Sequence, residues 1–229
     1  MSDYRETIVI SMGGSLVVPD QIDVDFIKRM KDLVRHFNDE GYQIFLVLGG
    51  GKTCRNYQAA ARTFSNVTDI DLDWIGITSI RLNAELFLRI MSDINVHPKV
   101  IERWQDAKGV DEPVVIVGAY EPGCSSDTDA IEMARVVGAN RVINFSNVSH
   151  VYSEDPKQNP DAIRYDTLSW DQYRSIIPDT WTPGLSTPFD PVGARLAEES
   201  GITVAILGAS VENLEAYLKG HDFDGTIIS

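Results

Sequence analysis

Two cysteines in a chain of 229 residues, Cys54 and Cys124, are too few for a disulfide framework. No Cys/His spacing matches a zinc site, so both read as reduced thiols, and no metal-ligating residue is expected. Basic residues are also scarce. Twenty Lys and Arg against 34 Asp and Glu leave a net charge of −14, which argues against nucleic acid or an anionic membrane as partner, because both need a basic footprint. Long apolar runs are missing: none approaches a membrane span, and Met1-Ser-Asp-Tyr-Arg-Glu lacks a charged-then-apolar signal pattern. The expectation is a soluble, cytoplasmic protein. Internal repeats, low-complexity tracts and linker-like stretches are missing too. If such an acidic chain handles phosphates, its few cations must be concentrated locally, so individual Lys and Arg residues become informative.

With 43% hydrophobic residues, the chain is long enough for one large core, and a single domain over residues 1–229 is the expected organisation. Short β-branched runs predict buried strands at Ile8-Val-Ile10, Ile44-Phe-Leu-Val-Leu48, Val114-Val-Ile-Val117, Val142-Ile143 and Val204-Ala-Ile-Leu207. Helical spacing links Phe26, Ile27, Met30, Leu33, Val34 and Phe37, opened near Asp23 or Asp25 and closed by Gly41. Further helices are expected over residues 75–91, 127–137 and 192–200, the last two stopped by Gly138 and Gly201. The stretch 153–184, rich in Pro, Asp and Thr, reads as a loop-rich excursion with one short helix over residues 170–177. Alternating strands and helices predict an α/β fold, a mostly parallel sheet between helical layers, with ligands at the carboxyl ends of its strands.

Four loops at such ends carry chemistry. After the first strand comes Met12-Gly13-Gly14-Ser15, where paired glycines let backbone N–H groups approach a phosphate, or simply form a turn. The second strand runs into Gly49-Gly50-Gly51-Lys52-Thr53-Cys54-Arg55. This is not a P-loop, because Leu46 stands where the motif needs its first glycine. Three consecutive glycines still cost backbone entropy, and Lys52 and Arg55 lie one helical turn apart, which favours phosphate binding over a structural turn. The third segment, Gly118-Ala-Tyr-Glu-Pro-Gly-Cys-Ser-Ser-Asp127, places two hydroxyls and a carboxylate at a helix start, a point suited to anions. Its plain alternative is a capping box from Ser126 to Asp129. A fourth loop, residues 146–157, offers Ser146 and Asn147 to a base or ribose, Tyr152 to a ring face and Lys157 to a phosphate, or is ordinary surface loop.

Taken in order, Gly-Gly-Ser, Gly-Gly-Gly-Lys-x-x-Arg, Pro-Gly-x-Ser-Ser-Asp, Asn-Val-x-x-Val-Tyr-x-x-Asp-Pro-Lys, x-Asp-Pro-x-x-Ala and a closing Gly-Thr-Ile-Ile resemble the amino acid kinase family, and within it the archaeal type of UMP kinase. The resemblance spans residues 8–228. It implies an αβα sandwich, transfer of the γ-phosphoryl of ATP to UMP in pyrimidine nucleotide biosynthesis, Mg²⁺ accompanying ATP, and a homohexamer. Carried over by motif, Ser11, Met12, Gly13, Gly14, Ser15, Gly51, Arg55, Ser146, Asn147, Tyr152 and Asp155 would hold ATP. Gly50, Asp73, Glu121, Pro122, Gly123, Cys124, Ser125 and Ser126 would hold UMP. Asp127, following the paired hydroxyls, would organise the cations around the transferring phosphoryl, with Arg55 and Lys157 as the principal charges and Lys52 in support.

The chain departs from the pattern at two places. Ser11 stands where many members carry a lysine, and Ser149-His150 replaces the usual Asp-Gly. His150 reads as an exposed loop histidine. Two rivals share the scaffold: a kinase acting on a carboxylate or carbamate, and a catalytically impaired nucleotide-binding regulatory or storage protein. Asp73 with residues 121–126 favours a nucleotide acceptor over the first, whereas the two departures keep the second open.

Overall fold

In the computed structural model, which describes residues 4–123, 125–180, 185 and 187–229, the first strand lies mid-sheet. β1 (Glu6–Met12) pairs in parallel with β2 (Tyr42–Leu48) on one side and β4 (Arg141–Phe145) on the other. β3 (Val114–Val117) extends the sheet beyond β2, and β8 (Thr203–Leu207) beyond β4, again in parallel. β9 (Gly225–Ile228) returns antiparallel to β8, and the short β7 (Thr167–Leu168) pairs with it. The order is β3-β2-β1-β4-β8-β9-β7. A separate ribbon joins β5 (Val151–Tyr152) to β6 (Arg164–Tyr165).

Strand side chains alternate between faces, so each continuous apolar run feeds two cores. Ile8, Ile10 and Met12 join Ile44, Leu46 and Leu48 on one face. That face is covered by α1 (Gly14–Val17), α2 (Val24–Asp39), α4 (Asp69–Ile90) and α8 (Val211–Leu218). Val9 joins Phe45, Val47, Val142 and Val204 on the other, under α5 (Ser126–Val137), α6 (Trp170–Ile176) and α7 (Pro191–Ser200). Each fully buried large side chain contributes about 1.5–3 kcal/mol relative to exposure, and Phe37, Phe45, Phe87 and Phe145 are among the largest so buried. No described helix is long and apolar enough to cross a membrane.

The caps explain the helix limits. Asp23, rather than Asp25, opens α2 by accepting from the Phe26 N–H at 2.9 Å. α4 begins six residues before the expected start, because Thr68 and Asp71 form a reciprocal capping box, while Ile70 and Trp74 stay exposed and hide the periodicity. α8 and β7 lay outside the expected elements. At α5 the Ser126–Asp129 capping box is corrected. Ser125 is the cap, its hydroxyl accepting from the N–H groups of Asp127 and Thr128 at 3.1 and 3.3 Å. Gly138 and Gly201 end α5 and α7 with φ of 73° and 63°, the left-handed conformation glycine adopts without a Cβ clash.

Candidate active site

The carboxyl ends of β1, β2, β3 and β4 point to one edge of the sheet, and the glycine loops cross there. A Cβ on Gly14 would stand 2.1 Å from the Gly51 N, and one on Gly49 would stand 2.4 Å from the Gly14 N. Any side chain would therefore drive the two loops apart. These glycines have a packing reason beside any ligand: backbone lies on backbone at the place where α1 and α3 (Gly51–Ala61) begin. Three further bonds fix the crossing: Gly13 N–H to Phe145 O at 2.8 Å, Gly49 N–H to Met12 O at 3.0 Å, and the buried Asn83 amide to Gly49 O at 2.8 Å. Arg55, exposed on α3, donates to the Ser15 hydroxyl at 3.1 Å. Ser11, Gly13, Gly14, Ser15, Gly51, Arg55 and Ser146 are thus gathered at one edge.

Behind this crossing lies Asp127, in the first turn of α5. Its Oδ1 accepts from the Asn144 amide at 3.1 Å and the Ser11 hydroxyl at 3.4 Å, and its Oδ2 accepts from the Asp190 N–H at 3.2 Å. Asp190 caps α7, and its carboxylate also accepts from Ser125 at 2.5 Å and Thr128 at 3.1 Å. Among the described residues no Lys or Arg forms an ion pair with Asp127. Burial, then the neighbouring negative charge of Asp190, push its carboxyl up to about 7, against the hydrogen bonds from the Asp190 N–H and Ser11. With Ser11 at that position on β1, a hydroxyl rather than a cation faces the raised Asp127 carboxyl.

Two cavities are built from the loops next to the crossing in the chain. The smaller, about 190 Å³, is lined by Asp73, Glu121, Pro122, Ser125 and Ser126, together with Arg62 and Cys54. Arg81 anchors its rim by donating to Ala119 O at 3.0 Å and pairing with Glu102 at 2.8 Å. Asp73 reaches the loop directly, accepting from the Gly123 N–H at 3.1 Å. Gly50 abuts this cavity, since a Cβ there would stand 2.6 Å from the Cys54 Cβ. Burial pushes the Cys54 thiol up, keeping it protonated. Cys124 lies outside the described residues. The larger cavity, about 580 Å³, is lined by Asn147, Tyr152, Asp155 and Lys157, and closed by Ile176, Pro178 and Pro188. Lys157 lines this cavity and, among the described residues, forms no hydrogen bond or ion pair with Arg55 or Asp127.

Some residues the sequence reading passed over stand in this site. Arg62, two turns after Arg55 and capping the carboxyl end of α3, puts a cation in the smaller cavity, and that helical spacing was its signal. Asn144 interrupts an otherwise apolar strand, which is a signal of its own. Asp190 was visible as the Asp-Pro of a motif. His150 is a correction: it is 3% exposed, not a surface histidine. Its ring lies 3.2 Å from the Ser149 hydroxyl and 3.4 Å from the Asp224 carboxylate. Burial pushes it below its ordinary value, against the pull of Asp224. No described non-glycine residue has positive φ, so the Ser149-His150 pair is accommodated without left-handed backbone strain.

Comparison with known proteins follows the same lines. Residues 6–208 match the model of the amino acid kinase family. The uridylate kinase of Methanocorpusculum labreanum is 33% identical over 226 residues, covering 96% of this chain and 94% of that one. The uridylate kinase of Pyrococcus abyssi is 31% identical over 204 residues, covering 88% and 89%. Among solved structures, the uridylate kinase of Archaeoglobus fulgidus superposes with a TM-score of 0.83 at 32% identity, covering 97% of this chain and 99% of that one. The UMP kinase of Bacillus anthracis reaches 0.77 at 16% identity and supports the fold alone.

Proposed function

Because the chain belongs to the amino acid kinase family, we propose that it is a UMP kinase, transferring the γ-phosphoryl of ATP to UMP to give UDP. The observation that carries the reading is the gathering of the glycine crossing and the Asp127 carboxylate at one sheet edge, with two separate cavities built from the loops next along the chain. In-line transfer asks the protein for positioning and charge neutralisation, and the phosphate oxygen of UMP is already ionised near neutral pH, so no general base is needed. UMP occupies the smaller cavity, its ribose or base on Asp73 and its phosphate toward Arg62, Ser125 and Ser126. ATP occupies the larger one, its base beside Tyr152 and Asn147. Its phosphates run over residues 11–15 and Gly51 toward Arg55, Lys52 and Lys157.

Mg²⁺ fits this edge as an ion held by the nucleotide's phosphates and water. It needs few protein ligands, and the hard oxygens of Asp127 and Ser11 suit its solvent shell. When bound, it neutralises charge on the phosphates. Asn144 and the Asp190 N–H hold the Asp127 carboxylate in place at this edge, where it would face such an ion. As a reading of the whole chain, we infer one working domain, cytoplasmic, within pyrimidine nucleotide biosynthesis and assembled as a homohexamer. Exposed Tyr57, Trp74 and Leu82 around a groove of about 420 Å³ on α3 and α4 offer an apolar face for self-association.

The test is a coupled assay of ADP release with Mg²⁺, offering UMP, CMP, dCMP and N-acetylglutamate as acceptors. UMP is expected to be preferred. Folded protein that binds nucleotides yet releases no ADP above background would instead establish the non-catalytic binder, the reading that the uncompensated Asp127 favours.

A further inference from the structure

We propose that His150 is a positioning residue that preforms the nucleotide-donor loop and thereby sets affinity for the nucleoside triphosphate. The inference rests on the donor assignment of the larger cavity. Residues 147–157 line that cavity, yet only Val151 and Tyr152 among them belong to a strand, and β5 is two residues long. Such a segment has little backbone pairing to hold it before a ligand arrives.

His150 supplies what the strand does not. It turns inward to 3% exposure while Asn147 in the same loop stays exposed. Its Nε2 stands 3.4 Å from the Asp224 Oδ1, just ahead of β9. The same oxygen lies 3.5 Å from the Arg164 Nη1, and Arg164 is the cross-strand partner of Tyr152. Arg164 also pairs with Asp166 at 3.3 Å, so Asp224, Arg164 and Asp166 are the charged groups facing the ring. With its proton on Nε2, the neutral imidazole turns that N–H toward Asp224 and accepts at Nδ1 from the Ser149 hydroxyl. The next residue is fixed independently, Val151 N–H donating to the Thr226 hydroxyl at 2.9 Å. The imidazole also meets the Tyr152 ring edge-on, centroids 6.2 Å apart, so it orients the aromatic face that lines the cavity.

A glycine at 150 would return backbone freedom to the free loop, and binding would then have to order it. That cost corresponds to about tenfold in affinity. The smaller cavity draws no residue from this loop, so acceptor binding should not change. Titration calorimetry on the full chain, with Mg²⁺ and a β,γ-imido analogue of ATP, and separately with UMP, measures both. His150→Gly is expected to weaken the analogue about tenfold and leave UMP within about twofold. His150→Gln, which keeps a side-chain donor and removes the glycine's freedom, should stay within about twofold for both. Should the glycine variant fail to fold, His150→Ala carries the same test with an expected loss of about threefold. Analogue binding unchanged in the glycine or alanine variant, or both nucleotides weakened equally, would overturn the inference. Wild-type protein that bound UMP but not the analogue would overturn the donor assignment itself, and this inference with it.

Discussion

Replacing Asp127 with asparagine separates the two roles its position allows, an organiser of charge and a helix-terminal carboxylate. In the folded chain the carboxyl is raised from 3.8 to about 7, chiefly by burial and then by Asp190. A group raised on folding binds its proton more tightly in the folded state. Its stabilising contribution is complete below about 3.8 and is lost as pH rises through about 7. At about 1.4 kcal/mol per pH unit, the full swing is at most about 4 kcal/mol. Water reaching the partly open site reduces that, and about 1–2 kcal/mol is the working expectation. For a chain of this size 1 kcal/mol moves the melting temperature by about 2–4 °C. Wild type should therefore lose about 2–8 °C between pH 5 and pH 8 through this group, over and above the decline shared with the variant. Asp127→Asn cannot titrate, so its melting temperature should fall less steeply. The maximal rate should drop at least ~100-fold, because cations around a loose, highly charged transition state lose the anchor they need only there. Melting curves from pH 5 to 8 and ADP release at saturating substrates, on one preparation, give both readouts. A variant with the wild-type pH slope would refute the buried, unpaired carboxyl. One that melts lower at every pH but turns over normally would return Asp127 to a dipole role worth about 0.3–1 kcal/mol.

Three further substitutions probe the site. Arg55→Ala should lower turnover about 10–100-fold, the worth of a charge-assisted contact, while UMP affinity measured by titration stays within a few fold. UMP binding abolished with ATP binding intact would reverse the donor and acceptor sides. Arg62→Ala should weaken UMP by at least about tenfold by the same measure of a charged contact, with ATP analogue binding unchanged. Equal effects on both ligands would remove Arg62 from the acceptor cavity. Gly14→Ala should destabilise the fold by about 1–3 kcal/mol or more, read in chemical denaturation, because the added carbon meets the backbone of Gly51 and no flexible side chain can yield. A stable, fully active variant would contradict the backbone-on-backbone crossing.

The strands were legible because a sheet buried on both faces needs uninterrupted apolar runs, and each of the five expected runs became a strand. The helix stops were legible for a similar reason: Gly138 and Gly201 adopt a conformation that few other residues tolerate. The start of α4 was hidden because exposed Ile70 and Trp74 blur the apolar stripe, and only the Thr68–Asp71 pair marks it. The site divides along the same line. Loops named by glycine and hydroxyl patterns come together at one sheet edge, since those patterns reflect local backbone demands.

What sequence order could not convey is the company each side chain keeps across long separations. Asn144 and Asp190 meet Asp127 from 17 and 63 residues away. Asp224 meets His150 from the far end of the chain. The same limit explains the misreading of His150, because loop composition suggests solvent, whereas burial there depends on where β9 returns. It also changes the meaning of Ser11. In sequence it is a missing lysine; in space it is a hydroxyl donated to an uncompensated carboxyl. On the proposed reading, the neutralising charge at that strand would come from groups that arrive with the substrate. Phosphoryl transfer here should therefore depend more steeply on the divalent ion than in a relative that carries the lysine, and a Ser11→Lys substitution should relax that dependence. Unchanged Mg²⁺ dependence in the lysine variant, with folding and nucleotide binding intact, would contradict this account of how the site balances its charge.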